Sequence, residues 1–322
     1  MTVHSIENTD VIAYHQGCPD GFTAYWILKR FVAPNAEGIA CAHGRELDVE
    51  QFRGKAVTFV DFCPPIDKLK EVIEVAKSVR VLDHHETAMK ACAAEWGEIS
   101  DMPERIVLLG NLEWGMNARL EFDMSRSGAG LAWEAAASSR TMPQWIDHVQ
   151  DRDLWKFELR HTPEVCAAIS SLPYTLQTYD EISLMPIEYL VTQGRAIERY
   201  RQQLLEEAVS RHFIIELDGT EVWATNCIYA LGSDVAGRLA EMNPTGVGAY
   251  YIDSSADYHC DPNPDTGCPP EIEVNRRWGL RSRNGGPNVA ELAARLDPKG
   301  GGHAAASGFA STYFLDVPEI KQ

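Results

Sequence analysis

The stretch Val79-Arg80-Val81-Leu82-Asp83-His84-His85 decides how the first part of this chain folds. Its short run of Val and Leu is typical of a buried strand, and the polar triplet stands where that strand ends. Similar apolar runs occupy residues 10–14 and 56–60, and helical patterns occupy 23–30 and 66–77. A repeated order of strand, helix and strand predicts an α/β fold with a parallel sheet.

The later part of the chain predicts a second, smaller α/β domain. A small-residue helix is expected at 128–138, and a long polar helix at 187–211. Strand-like runs then follow at 213–217, 221–224 and 248–252. We therefore predict a two-lobed protein with a parallel-sheet domain at 1–185, a linker helix at 186–211 and a smaller α/β domain at 212–322.

Composition limits the class of protein. The 322 residues, 45% of them hydrophobic, are enough for one or two full cores. No apolar run approaches the roughly 20 residues of a membrane helix, and residues 1–7 lack a signal-peptide pattern. The eight cysteines include no CxxC pair. These features predict a cytoplasmic protein with free thiols and no membrane segment.

The formal net charge of -18 argues against binding to long duplex nucleic acid. A small phosphorylated substrate is still compatible, because bound divalent cations and a few arginines reverse the field locally. Basic residues do concentrate in one segment, which predicts either a phosphate-facing patch or a solvated surface. They are Arg276, Arg277, Arg281, Arg283, Arg295 and Lys299.

Acidic and imidazole side chains follow the predicted strands. His15, Asp61 and Asp83 lie at or just past strand ends, where parallel sheets collect their ligand-binding groups. Any one of them alone is compatible with a surface or helix-capping role. Asp and His ligands that converge from several strand ends can instead hold hard cations, which clamp phosphoryl groups and activate water. Further candidates are Asp20, His84, His85 and Asp151.

A second signature lies far downstream, Gly300-Gly301-Gly302-His303-Ala304-Ala305-Ala306-Ser307-Gly308-Phe309. Its glycines predict a loop whose backbone N–H groups bind an anion. A metal site and an anion-binding loop in one chain indicate metal-assisted phosphoester chemistry.

The chain resembles the DHH family of phosphoesterases in five blocks, at 15–24, 60–61, 81–85, 151–155 and 281–309. The family includes single-strand exonucleases, short-oligonucleotide ribonucleases, cyclic-dinucleotide phosphodiesterases and manganese-dependent pyrophosphatases. The resemblance implies Mn²⁺ or Mg²⁺ as cofactor, with one or two ions bound. The last block is similar to the family's C-terminal, substrate-binding domain. The sequence leaves open whether the protein forms a homo-oligomer.

The resemblance also implies a role for individual residues. Asp61 would bridge two metals, His84 would bind metal, and His85 would act as general acid. Asp83 would orient the histidine pair. Asp151 matches the family's fourth aspartate, with Asp153 as the competing choice. The first block would contribute His15, Cys18 and Asp20, and the substrate would be held by Arg281, Gly301, Gly302 and His303.

Cys18 departs from the family pattern, in which many members carry a carboxylate at this position. Thiolate is a soft ligand and suits Mn²⁺ less well than a carboxylate does. Three outcomes stay open: a weaker first metal site, a softer ion at Cys18, or only one tightly bound metal.

These observations predict a metal-dependent phosphodiesterase that hydrolyses short oligonucleotides or dinucleotides with metal-activated water. An inorganic pyrophosphatase or polyphosphatase is the second enzyme hypothesis. A catalytically weakened nucleotide-binding sensor is the third, supported by Cys18. The segment 253–275, rich in Pro, Asp and Cys, is expected to be an exposed insertion or long hairpin. His259, Cys260 and Cys268 within it match no standard zinc module, which favours a loop.

Overall fold

The computed structural model describes residues 3–42, 45–97, 105–109, 118–137, 140–258 and 271–316. Its contacts divide the chain into two compact units, Met1–Arg199 and Tyr200–Gln322. The division falls inside the long helix α8 (Ile187–Ser210). The expected α/β class is confirmed, with one sheet in each unit. The domain boundaries after residues 185 and 211 stay a prediction.

The first unit alternates strands with helices. Its strands are β1 (Val11–His15), β2 (Glu37–Cys41), β3 (Ala56–Val60), β4 (Ser78–Asp83), β5 (Arg105–Leu109) and β6 (Ala118–Asp123). Its helices before α8 are α1 (Pro19–Phe31), α2 (Ile66–Val75), α3 (Glu86–Trp96), α4 (Gly128–Ala137), α5 (Gln144–Asp153), α6 (Thr162–Ser170) and α7 (Leu176–Leu184).

The strand order in this sheet is β2-β1-β3-β4-β6-β5. The first five strands of that order pair in parallel, and β5 pairs antiparallel with β6 at the edge. The chain runs from β1 outward to β2 and then returns to β3 on the other side of β1. A crevice therefore opens between the carboxyl ends of β1 and β3, which is where sheets of this kind bind ligands.

The core explains why the strand sequences are almost continuously apolar. Every residue of β3 is buried. Successive residues of β1 enter different cores: Ile12 packs with helix α1 on one face, and Val11 and Ala13 pack with α2 on the other. A strand covered on both faces needs apolar side chains at every position. The polar residues of these strands therefore lie at the strand ends, beside the crevice.

The second unit contains a mixed sheet with the order β11-β12-β10-β9-β8-β7. Strands β8 and β9 pair in parallel, and the other neighbours are antiparallel. Helices α9 and α10 pack in separate apolar clusters of this unit. The elements are β7 (Phe213–Leu217), β8 (Thr220–Asn226), α9 (Tyr229–Met242), β9 (Val247–Tyr258), β10 (Glu271–Ser282), α10 (Val289–Leu296), β11 (Gly301–His303) and β12 (Ala306–Asp316).

The expected insertion at 253–275 contains the paired ends of β9 and β10, which form a long antiparallel hairpin. Residues 259–270 lie outside the described residues, and with them His259, Cys260 and Cys268. Among the helices that the structure describes, none combines the length and the apolar character that crossing a membrane requires.

Candidate metal centre

Asp61 lies at the centre of a cluster of acidic and imidazole side chains in the crevice. Its Oδ1 is 3.1 Å from His84 Nε2, and its Oδ2 is 3.4 Å from His15 Nδ1. Its backbone N–H donates a hydrogen bond of 2.9 Å to the carbonyl of Leu82 in β4. Asp61 is 1% exposed and has a left-handed φ of 54°. Such backbone strain, about 1–3 kcal/mol, is concentrated at functional sites.

Asp83 orders the two histidines that follow it. Its Oδ1 accepts a hydrogen bond of 2.8 Å from the backbone N–H of His84 and lies 2.7 Å from His85 Nδ1. Asp83 is fully buried at the end of β4, and His85 directly precedes helix α3. One carboxylate thus fixes both the backbone turn and the orientation of the His85 ring.

Asp20 reaches the cluster from helix α1. Its Oδ1 accepts hydrogen bonds from the Ser127 hydroxyl at 2.6 Å and from the Ala129 N–H at 3.1 Å. These donors lie at the N-terminus of α4, where unpaired N–H groups favour an anion. Ser127 was not among the site residues predicted from the sequence. A serine just before a small-residue helix is a helix-capping signal, and it could have indicated a buried polar contact here.

Gly128 allows the α1 and α4 residues to approach Asp61. A Cβ on Gly128 would lie 2.3 Å from Asp61 Cβ and 2.9 Å from Asp20 Oδ2. Both carboxylates would therefore have to move to accommodate any side chain at this position.

We expect Gly128→Ala to destabilise the fold by about 1–3 kcal/mol through overpacking. Displacement of the two carboxylates should also lower hydrolytic turnover about 100-fold. Urea unfolding and steady-state kinetics measure the two effects. Ala135→Ser, at an exposed position of the same helix, is the control and should match the wild type. Normal turnover in Gly128→Ala would show that the Asp61 position is not critical.

Cys18 does belong to the cluster. Its Sγ, a ring nitrogen of His15 and an oxygen of Asp61 lie within 4.8 Å of one another. Burial, together with the charges of Asp61, Asp153 and Asp20, raises the pKa of the Cys18 thiol well above its usual value. Without a cation nearby, Cys18 is therefore a neutral thiol. It could bind metal as a thiolate only if the cation displaced its proton.

The structure brings Asp153, rather than Asp151, to the cluster. Oδ2 of Asp153 is 3.4 Å from His84 Nε2. Asp20, His84 and Asp153 each offer one potential ligand atom, and these three atoms lie within 4.8 Å of one another. Asp151 instead accepts hydrogen bonds from the N–H groups of Glu158 and Leu159 and from the Thr162 hydroxyl. The metal-binding role expected for Asp151 stays a prediction, whereas in the structure its carboxylate holds the loop after α5.

This difference predicts opposite phenotypes for two neighbouring aspartates. Asp151→Asn should lower the free energy of unfolding by about 3 kcal/mol, because hydrogen bonds to a charged acceptor are lost. Asp153→Asn should leave unfolding nearly unchanged and weaken Mn²⁺ binding at least about 100-fold. Urea unfolding in EDTA and calorimetric Mn²⁺ titration separate the two. The reverse pattern would identify Asp151 as the ligand.

The electrostatics of the cluster show an excess of negative charge. Burial and the charges of Asp153 and Asp61 raise the pKa of Asp20 well above its usual value. Burial also raises the pKa of Asp153, and the negative charge of Asp61 raises it further. Burial opposes protonation of His84, but the Asp61 hydrogen bond and the nearby carboxylates outweigh it and raise its pKa to about 10.

The residues present fit a divalent cation. Among the described residues, Oδ2 of Asp20 and Oδ2 of Asp83 are buried without a hydrogen-bond partner. Oδ2 of Asp61 and Oδ2 of Asp153 are also buried, and each lies 3.4 Å from an imidazole nitrogen. Carboxylate oxygens of this kind are costly to bury unless a cation or a donor compensates them. Asp61 belongs to two of the possible ligand groups, one with His15 and Cys18 and one with Asp83, His84 and His85. Asp and His are suitable ligands for Mn²⁺ or Mg²⁺.

In the second unit, Arg281 and His303 share one row of the sheet. His303 pairs with Ala306, and Ala306 pairs with Arg281, so the two side chains lie on the same face. The Arg281 guanidinium donates hydrogen bonds to the Ser233 hydroxyl at 2.6 Å and to the Leu280 carbonyl at 2.8 Å. These contacts fix the guanidinium against helix α9.

The glycine run is an edge strand and not the expected loop. Gly301, Gly302 and His303 form β11, which pairs with β12 on one side. Gly302 has φ 144°, and a Cβ there would lie 2.4 Å from the Ala306 carbonyl oxygen. Glycine is therefore required by the tight pairing. In the strand order, β11 is at the edge of the sheet.

The arginine-rich segment is not one uniform phosphate-facing patch. Arg276 makes a bidentate pair with Asp253, at 2.7 and 3.0 Å, and Arg295 pairs with Asp218 at 2.6 Å. Neighbouring carboxylates therefore compensate these two arginines. Arg281 contacts the Ser233 hydroxyl and the Leu280 carbonyl.

Comparison with known proteins gives two similarities and no family. No protein-family model matches the chain. An uncharacterised protein, R106 of Acanthamoeba polyphaga mimivirus, is 23% identical over 329 residues, which cover 96% of this chain and 69% of that protein. A solved pGpG-specific phosphodiesterase, PggH of Vibrio cholerae, is similar over 94% of this chain and 92% of its own, with 10% identity and a TM-score of 0.40. Neither similarity assigns the chain to a family.

Proposed function

We propose that this protein is a divalent-metal-dependent phosphodiesterase of the DHH type, which hydrolyses short oligonucleotides or dinucleotides. One observation carries the proposal. Carboxylates, imidazoles and a thiol from separate strand and helix ends converge where the strand order reverses, with buried oxygens left for a cation. The proposed ligands are His15, Cys18, Asp20, Asp61, His84 and Asp153.

A bound cation would neutralise the phosphoryl oxygens and lower the pKa of a water molecule. The chain supplies the remaining functions. Asp61 and His84 hold the centre of the site, and Asp83 fixes the His85 ring through Nδ1. In our proposal the protonated His85 donates a proton to the leaving oxygen. Arg281, Gly301, Gly302 and His303 of the second unit would bind a substrate phosphate.

Two other functions compete with this one. A pyrophosphatase would use the same metal ligands, and a nucleotide sensor would bind without turnover. The sensor hypothesis is supported by the neutral Cys18 thiol, which would leave the His15 side of the site weaker.

One set of assays separates the three functions. Purified protein is incubated with Mn²⁺, Mg²⁺ or Co²⁺ and with the dinucleotide pApA, a cyclic dinucleotide, a five-residue RNA or pyrophosphate. We expect metal-dependent release of mononucleotides, abolished by EDTA, and little phosphate from pyrophosphate. Preferential cleavage of pyrophosphate would identify the pyrophosphatase. Binding of pApA without turnover under any metal would identify the sensor.

A further inference from the structure

The loop after helix α5 is built around Asp151. The Asp151 carbonyl accepts hydrogen bonds from the backbone N–H groups of Lys156, at 2.9 Å, and Phe157, at 3.5 Å. Its carboxylate accepts the N–H groups of Glu158 and Leu159. Hydrogen bonds to a single residue thus fix the backbone of residues 154–159, which we call the aromatic loop.

The aromatic loop presents two large rings to solvent in strained conformations. Trp155 and Phe157 have φ values of 57° and 51°, a left-handed region that bulky residues rarely adopt. The two residues are 42% and 38% exposed, so burial in the core does not explain this geometry. Strain that the fold maintains at exposed aromatic residues points to a function for those residues.

Arg152 stacks on both rings. Its guanidinium carbon is 4.5 Å from the Trp155 ring centroid and 5.2 Å from that of Phe157. The two rings are 5.1 Å apart and nearly perpendicular, at 81°. These contacts fix the rings before any ligand arrives and place a positive charge beside them. An aromatic surface combined with an arginine is suited to a nucleobase attached to a phosphate.

The aromatic loop adjoins the proposed metal centre. Asp153 ends helix α5 and contacts His84, and Trp155 follows two residues later. Two residues of chain span at most about 7 Å, so the Trp155 backbone lies within about 7 Å of the Asp153 backbone.

We propose that Trp155 and Phe157, fixed by Arg152, form a subsite that stacks a nucleobase of the substrate. The inference rests on the proposed function and narrows it, because a base-stacking subsite selects nucleotides over pyrophosphate or simple phosphate esters. Trp155 contributes binding energy, and Arg152 and Asp151 act as positioning residues. No base-specific hydrogen bond is required, so purines should bind with little discrimination between them.

The test compares a nucleotide with a matched ligand that lacks bases. Kinetics are measured with pApA and with its abasic analogue, for the wild type, Trp155→Ala and Trp155→Phe. Loss of one stacked base should raise the KM for pApA about tenfold or more in Trp155→Ala. The value of kcat/KM for the abasic analogue should stay unchanged, and Trp155→Phe should recover most of the pApA affinity. Tyr189→Ala, which removes a half-exposed ring of α8, is the matched control.

A second measurement separates this inference from the proposed function. Calorimetric binding of AMP is measured in EDTA, where no hydrolysis occurs. Weaker binding to Trp155→Ala supports the subsite even if the protein cleaves none of the phosphodiesters tested. Unchanged AMP binding and an unchanged pApA KM in Trp155→Ala rule the subsite out, even if the wild type is an active phosphodiesterase. Circular dichroism checks that the variants are folded.

Discussion

Replacing Asp61 with Asn should lower the metal-dependent phosphodiesterase rate by about a thousandfold, the largest effect expected from any single substitution in this chain. Asp61 is the residue that two of the possible ligand groups share. Its two oxygens lie near different histidines, His84 and His15. Removing its charge therefore weakens cation binding in both of these groups, whereas the loss of a ligand that belongs to one group weakens only that group.

The folded state should tolerate Asp61→Asn when no metal is present. Asn has the same shape as Asp. The substitution weakens the interaction that raises the pKa of His84, but it also relieves the repulsion that, together with burial, raises the pKa of Asp20 and Asp153. The unfolding temperature in EDTA should therefore be close to that of the wild type. A loss of activity in this variant would then reflect the site and not the fold.

Metal-induced stabilisation is the direct measurement for Asp61→Asn. A ligand present at about 100 times its Kd stabilises the native state by about 2.7 kcal/mol. Wild-type protein should show such a shift when Mn²⁺ is titrated in thermal unfolding, and Asp61→Asn should show little or none. Asp67→Asn, at an exposed position in the first turn of α2, is the matched control and should behave as the wild type. An equal Mn²⁺ shift in Asp61→Asn would contradict the proposed metal centre.

His85→Asn should have the second-largest effect, a loss of about a hundredfold in turnover, which lies within the usual contribution of general acid–base catalysis. The Asn amide can still donate a hydrogen bond to Asp83, so the local turn should persist. It cannot deliver a proton to the leaving oxygen. The wild-type ring is suited to this role, because the Asp83 carboxylate outweighs the effect of burial and raises the pKa of His85.

Two measurements distinguish an acid from a metal ligand at position 85. The Mn²⁺-induced rise in unfolding temperature should be nearly intact in His85→Asn. The kinetic defect should also shrink for a nitrophenyl phosphodiester, because nitrophenolate leaves without protonation. His161→Asn is the control, since that residue has φ 76°, a conformation that Asn accepts. An equal defect with both leaving groups, together with lost metal stabilisation, would reassign His85 as a ligand.

Local pattern was enough to predict much of the first sheet. The runs at 10–14, 56–60 and 79–82 coincide with β1, β3 and β4, because strands buried on both faces must be apolar at every position. The sequence also indicated that His15, Asp61 and Asp83 would meet, since parallel strands carry their ends to a common edge. The β2, β5 and β6 strands were not predicted.

The choice between Asp151 and Asp153 shows where local pattern fails. Residues two apart on a helix point in different directions, so at most one of the pair faces the crevice. Which one does so depends on the loop that follows α5, whose N–H groups converge on Asp151. Matching the spacing of a motif cannot supply that information, because both residues are aspartates.

Contacts between distant parts of the chain could not be predicted from local sequence pattern either. Ser127 donates to Asp20 across 107 residues of sequence, and Gly128 lies against Asp61. Neither residue carries metal-binding chemistry of its own. Each matters because the packing of α4 against α1 brings a helix N-terminus to a buried carboxylate.

The sequence by itself determined the α/β class and the chemical character of the site, because apolar periodicity and residue type are local properties. Only the tertiary structure decided that Asp153 joins His84, that Ser127 and Gly128 support the carboxylates, and that Gly301–His303 is an edge strand. The physical reason is that these features depend on which backbone donors reach each carboxylate and on how closely helices approach. Those quantities exist only once the chain is packed.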